Sequence, residues 1–189
     1  SPTYLRGQRE KATGIALNRH PRKSYYLATK LSNFNDWSRE GSLKLYHDSF
    51  TTMHTDWFYF YLLHSIGRGG MDAFNSRYVD NGLVDFLLKE REKGKIRQLG
   101  FSFHGPKDSF DQFLALHDKY HWDFVQIQMN YVDWAHADGV KNVNANYLYE
   151  ELDKRKIAIT VMEPLQGGRL ASVPDAIERQ LKEREPQRS

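Results

Sequence analysis

The sequence predicts an α/β fold with a parallel sheet covered by helices, and three observations carry that expectation. Short apolar runs recur that are nearly continuous rather than strictly alternating, as buried parallel strands require. The segments between them place apolar residues three, four and seven apart, the period of a helix with one buried face. Most of the runs also close on a single polar or ionisable side chain, which puts chemistry at the strand ends, where α/β folds build their sites.

The elements follow in order. Ser24-Tyr25-Tyr26-Leu27-Ala28-Thr29-Lys30, after Pro21, reads as a buried strand closing on Lys30. Asp56 to His64, Asp-Trp-Phe-Tyr-Phe-Tyr-Leu-Leu-His, has the same form and closes on His64. The segment between Ile66 and Tyr78, containing Gly67, Gly69 and Gly70, reads as the longest loop. Leu83, Val84, Leu87 and Leu88, after Gly82 and before the charged run from Glu90 to Lys95, predict a helix with one buried stripe. Ile96 to Phe103 is the next strand, and Phe110, Phe113, Leu114 and His117 mark a helix behind it. Val125, Ile127 and Met129 alternate with Gln126 and Gln128, giving a strand with one apolar face and one amide face. Tyr147 to Lys156 reads as a helix, and Ile157 to Met162 as a further buried strand ending at Glu163-Pro164. Five strands thus alternate with helices in a single domain over residues 1–189.

Composition removes several classes of function. No apolar run approaches the roughly 20 residues of a membrane helix. The absence of cysteine among the 189 residues excludes disulfides, thiolate metal sites and thiol nucleophiles from this stretch. A secretory leader is not visible either, so a cytoplasmic address is expected. The formal net charge is +3, and the first 30 residues are the basic part, with seven Lys and Arg against Glu10 alone. These cations form no contiguous block, so nucleic acid is not the expected partner.

The strand ends supply Lys30, His64, Ser102 with Phe103 and His104, Gln126 or Gln128, and Met162 with Glu163. A Lys, a His, a hydroxyl and an amide converging on one face suit hydride transfer, which needs a proton donor and a group that tunes it. These stretches resemble the aldo-keto reductase family, NAD(P)H-dependent carbonyl reductases built on a (β/α)8 barrel. The resemblance runs through Tyr26 to Lys30, Asp56 to His64, Gly94 to Ser102, Val125 to Asn130 and Val161 to Gly168, in the family's order and spacing. Asn130-Tyr131 and the Glu163 to Gly168 ending resemble a bacterial subgroup whose longer members add a cysteine-rich iron–sulfur module.

The resemblance implies that Tyr4 gives a proton to the carbonyl oxygen, that the Lys30 charge assists it, and that His64 orients the substrate oxygen. It implies NADPH as cofactor, with NADH as the other form, held by Ser102 and Gln126 at the nicotinamide carboxamide and by Met162, Pro164, Leu165 and Gly168 further along. The substrate would be a small aldehyde or ketone, and no metal is implied. Three positions depart from the family pattern. Leu5 stands where it has Gly after the tyrosine, Phe103 where it has Asn, and Met162 where it commonly has an aromatic ring. The family's catalytic Asp would fall ahead of Ser1. A whole barrel takes roughly 250 residues, so 189 residues with about five strands imply an incomplete barrel within a longer parent, lacking the first two strands and the last. Its open sheet edges favour self-association into a homo-oligomer. The alternative is a non-catalytic, barrel-derived binding or subunit protein, or an inactive fragment of the reductase.

Three rival motifs are weaker. His117 and His121 sit at i and i+4 without a third metal ligand, and Gly67-Arg68-Gly69-Gly70 lacks the Lys-Ser/Thr of a phosphate loop. The aromatic strand Trp57 to Tyr61 suits a core better than a base-stacking platform.

Overall fold

The computed structural model describes residues 1–138, 141–172, 174–185 and 187. Five strands, β1 (Ala28–Leu31), β2 (Phe58–Ile66), β3 (Ile96–Phe103), β4 (Phe124–Gln128) and β5 (Ala158–Met162), form one sheet in the order β1-β2-β3-β4-β5. Every neighbouring pair is parallel. Because each strand lies beside the next one in sequence, every connection steps the same way. Right-handed crossovers then place the helices on a single face, as in a segment of barrel wall.

The helices are α1 (Gln8–Leu17), α2 (Arg39–Thr52), α3 (Gly70–Phe74), α4 (Leu83–Glu92), α5 (Lys107–Ala115), α6 (His117–Tyr120), α7 (Asp133–His136), α8 (Ala145–Lys154) and α9 (Asp175–Arg184). On the helix side Leu31, Tyr61, Leu63, Leu99, Phe101, Val125 and Ile127 meet Tyr46, Leu87, Phe113 and Leu152 in one continuous core. The strand alternation sends the intervening residues to the other face, where the Phe60 and Phe124 rings lie 5.0 Å apart. At the open ends of their strands the same face carries Lys30, His64, Ser102, Gln126 and Met162.

Several expectations need correction. The first strand begins at Ala28, not Ser24, because residues 22–24 form a 3₁₀ turn and Tyr26, 74% exposed, stacks edge-on against Tyr59 at the sheet margin. The second strand runs two residues beyond His64, to Ile66. The segment from Ile66 to Tyr78 is not a long loop: α3 and a five-residue π turn over 75–79 occupy it, burying Phe74 and Tyr78. The last strand is not buried throughout, since Ala158 and Val161 are exposed on an edge that no described strand covers. The helix containing Phe110 ends at Ala115, so His117 opens the separate α6.

Helices α1 and α2 carry little apolar periodicity because their packing uses other chemistry. The buried positions of α1 are Glu10 and Gly14. Gly14 lets α1 approach the end of α2 backbone to backbone: a Cβ there would lie 2.4 Å from the Thr52 carbonyl oxygen. Glu10 accepts hydrogen bonds from Thr29 on β1 and from Ser49 on α2, the latter at 3.2 Å. Helix α2 itself buries Ser42, Tyr46 and Ser49, and its first turn is capped by Ser38, which accepts from the Gly41 N–H at 3.0 Å.

Candidate active site

Strand register decides what can meet at the mouth of the sheet. Lys30 pairs with Leu62, which brings Ser32, two residues on, level with His64. Ser32 Oγ lies 2.5 Å from His64 Nδ1, and both residues are buried. Between Leu63 and Ile66 the β2–β3 register shifts, and Ser65 within that irregularity has φ +52°. The bulge turns the Ser65 N–H onto Ser102 Oγ at 2.8 Å, fastening the end of β2 to the end of β3.

Tyr4 reaches the mouth from outside the sheet. It sits on a short turn, residues 4–7, whose Leu5 and Arg6 both take left-handed backbone angles, φ +50° and +52°. Its Oη is 3.4 Å from His64 Nε2, and the two rings meet edge-on at 5.7 Å. The Arg9 guanidinium lies 5.3 Å from the Tyr4 ring centre, and the Phe34 ring 4.9 Å from that of His64. A cleft of about 580 Å³, lined by Thr3, Arg6, Ser32, Asn33 and Phe34 among others, opens beside this cluster.

Lys30 makes no hydrogen bond or close ion pair with any described residue. Burial pushes its ammonium down to about 8, against the opposing pull of the Glu163 charge. Burial, with the Lys30 charge second, pushes the His64 imidazole down to about 3, so it is neutral across the physiological range. His104, following β3, has Nδ1 3.1 Å from Asn142 Oδ1 and Nε2 3.8 Å from Glu163 Oε1; burial lowers its pKa as well.

Ser102, Gln126 and Thr160 form one row across β3, β4 and β5. Gln126 Oε1 and Thr160 Oγ1 are buried and have no hydrogen-bond partner among the described residues. Ser102 accepts from Ser65 and keeps its own proton to donate. Phe103 does not face this row: it turns into the helix-side core against Phe110, ring centres 5.0 Å apart. Beyond it, Asp133 gathers donors from Gln128, from Asn130 at 2.6 Å and from Gln166 at 3.0 Å. Burial alone would raise its pKa, but these bonds hold the carboxyl below the usual carboxylate range.

Met162 ends β5 opposite Gln128. After it Glu163, Gln166, Gly167 and Gly168 all have positive φ. The N–H groups of Gln166 and Gly168 bond back to the carbonyls of Glu163 and Leu165, so the turn carrying Pro164, Leu165 and Gly168 closes on itself. The sequence-predicted residues therefore divide in two: Tyr4 and His64 touch, with Lys30 acting on His64 through its charge, while Ser102 and Gln126 form a neighbouring row that β5 extends. Ser32, Arg77 and Asp133 escaped sequence reading because a buried hydroxyl, guanidinium or carboxylate gives no periodic signal. The only hint for Ser32 was its place two residues beyond Lys30. Among the described residues no group of three His, Asp or Glu could hold a metal ion, and no helix is long and apolar enough to cross a membrane.

A parallel, singly wound sheet with a Tyr–His contact, a half-buried lysine and an amide row at its strand ends defines a barrel-type protein with a candidate site at the mouth. The chain belongs to the aldo/keto reductase family, whose model matches residues 1–189. Solved structures agree on the fold. An aldo-keto reductase, MGS-M4, from a Medee basin deep-sea metagenome library superposes with a TM-score of 0.69 at 20% identity, over 95% of this chain and 60% of its own. The holo form of aldo-keto reductase AKR11C1 from Bacillus halodurans gives 0.68 at 19% identity, over 92% and 55%. An aldo-keto reductase from Klebsiella pneumoniae in complex with NADPH gives 0.68 at 20% identity, over 94% and 57%. The chain thus spans somewhat more than half the length of these relatives, as a partial barrel. No curated protein sequence matches it.

Proposed function

We propose that the protein, as part of a longer barrel, reduces aldehydes or ketones at the expense of NADPH, with Tyr4 as proton donor. The observation that carries this reading is the 3.4 Å approach of Tyr4 Oη to His64 Nε2, with the charge of the half-buried Lys30 acting on the same imidazole. A carbonyl oxygen seated between Oη and Nε2 would take the proton from Tyr4. His64, neutral, would fix the direction of its lone pairs, and the Lys30 charge is assigned to assist that transfer.

The amide row supports the cofactor. The unpartnered Gln126 Oε1 is an acceptor suited to a carboxamide N–H, and the free proton of Ser102 suits its carbonyl. When bound, NADPH supplies the hydride that reduces the carbonyl carbon. Met162 offers an apolar, polarisable surface next to that row, and the family resemblance extends the cofactor contact to Pro164, Leu165 and Gly168 in the turn that follows. The Glu163-Pro164-Leu165-Gln166-Gly167-Gly168 run favours placing the parent protein near the iron–sulfur-tailed bacterial subgroup.

The test is cofactor binding by the full-length protein. NADPH should raise its melting temperature, and Gln126→Leu should weaken binding about tenfold, the cost of one lost polar contact. A wild-type protein whose melting temperature does not respond to saturating NADPH would overturn the reading.

A further inference from the structure

His64 is neutral, so it carries one ring proton, and which nitrogen holds it decides what Nε2 can do. A bare Nε2 can only accept. A protonated Nε2 can donate to an oxygen placed beside Tyr4.

The choice is made on the other side of the ring. Ser32 Oγ lies 2.5 Å from His64 Nδ1 and 3.4 Å from the Lys30 carbonyl oxygen. The hydroxyl has one proton to give, and Nδ1 is the closer acceptor by a wide margin. Ser1 Oγ, 2.7 Å away, can in turn donate to Ser32. A backbone carbonyl in the place of Ser32 would enforce the opposite tautomer, because it has no proton.

The two segments are also locked to each other. Asn33, fully buried, donates to Ser42 Oγ at 3.1 Å and to the Arg77 carbonyl at 3.3 Å. Arg77 Nη2 lies 3.1 Å from Asn33 Oδ1, 3.2 Å from the His64 carbonyl and 2.7 Å from Tyr78 Oη. Arg77 is 5% exposed, and no carboxylate among the described residues pairs with it. The π turn over 75–79 is what turns both Arg77 and Tyr78 inward. A buried cation spent on backbone and amide oxygens at the root of His64 is an expensive way to hold a loop, and it fixes the imidazole relative to Ser32.

We propose that Ser32 is a positioning residue that donates its hydroxyl proton to His64 Nδ1 and so places the imidazole proton on Nε2, facing Tyr4 Oη. The inference rests on the reductase reading for its purpose: with Nε2 protonated, the ring can hold a substrate oxygen while the Tyr4 proton stays free for transfer.

The experiment uses full-length protein labelled with ¹⁵N-histidine, comparing wild type, Ser32→Ala and Ser32→Thr by long-range proton–nitrogen correlation at neutral pH. The wild type should show His64 protonated on Nε2. Ser32→Ala should lose that single tautomer and lower kcat about tenfold with a smaller change in KM, and Ser32→Thr, which keeps the hydroxyl, should restore both signatures. A wild-type His64 protonated on Nδ1, or a Ser32→Ala spectrum with the tautomer unchanged, would overturn the assignment. The expected spectra in a wild-type protein that turns over no carbonyl would uphold Ser32 as the group that orients His64 and overturn the reductase reading instead.

Discussion

Gly100 on β3 faces Phe124 on β4 so closely that a Cβ added to it would lie 2.1 Å from the Phe124 carbonyl oxygen and 2.8 Å from its ring. The contact sits one strand step below Ser102 and Gln126, which pair in the same register. Phe124 in turn packs against Phe60 across the inner face. The missing side chain thus lets two aromatic rings close the floor beneath the polar mouth.

Gly100→Ala should therefore destabilise the fold by about 1–3 kcal/mol, since backbone rather than a flexible side-chain end must move. Urea unfolding followed by circular dichroism would show a lower midpoint. An unchanged midpoint would mean that the two strands do not approach as described.

Leu5 holds φ +50° in the turn that presents Tyr4, a conformation that costs a residue with a Cβ roughly 1–2 kcal/mol. Leu5 is largely exposed, so little packing is lost with its side chain. Leu5→Gly is expected to raise stability by up to about 1 kcal/mol, offset in part by the freer unfolded chain. Thermal melts of the two proteins decide the matter, and a destabilised glycine variant would show that the left-handed turn does not form.

The proposed reaction acquires from Lys30 a pH dependence of definite sign. Its ammonium, lowered from the ordinary lysine value to about 8, is lost as pH rises through 8, whereas the unfolded chain keeps it to about 10.5. Carbonyl reduction should therefore decline above pH 8, and Lys30→Met should be slower by about a hundredfold or more at pH 7 without that alkaline limb. The stability effect runs the other way. Between pH 8 and 10.5 the unfolded state binds more protons, so this group's contribution to stability rises with pH, and the methionine variant should gain most at neutral pH. A kcat/KM profile flat from pH 7 to 10 would contradict the placement of Lys30.

The parallel sheet was legible because buried strands leave uninterrupted apolar runs, and the span of β3 is the one the pattern predicts, Ile96 to Phe103. What the pattern misses is packing by other means. Helix α1 buries a carboxylate and a glycine, and α2 buries two serines and a tyrosine, so neither shows an apolar stripe. The glycines of the 66–78 segment suggested an extended loop, yet Gly69 and Gly70 take left-handed angles that start α3. At the site, strand position nominated Lys30, His64, Ser102 and Gln126, while Tyr4, on a turn outside the sheet, was nominated only by the family resemblance. The partners that hold them, Ser32 behind His64 and Ser65 against Ser102, depend on register and on a bulge, which exist only in three dimensions.

The most direct test of the central claim is turnover by the full-length protein, comparing wild type with Tyr4→Phe in NADPH-dependent reduction of a panel of aldehydes and ketones. The account predicts that the phenylalanine variant binds NADPH as well as the wild type and loses about a hundred- to ten-thousand-fold in kcat, because only the proton donor is gone. Undiminished reduction by Tyr4→Phe would contradict it.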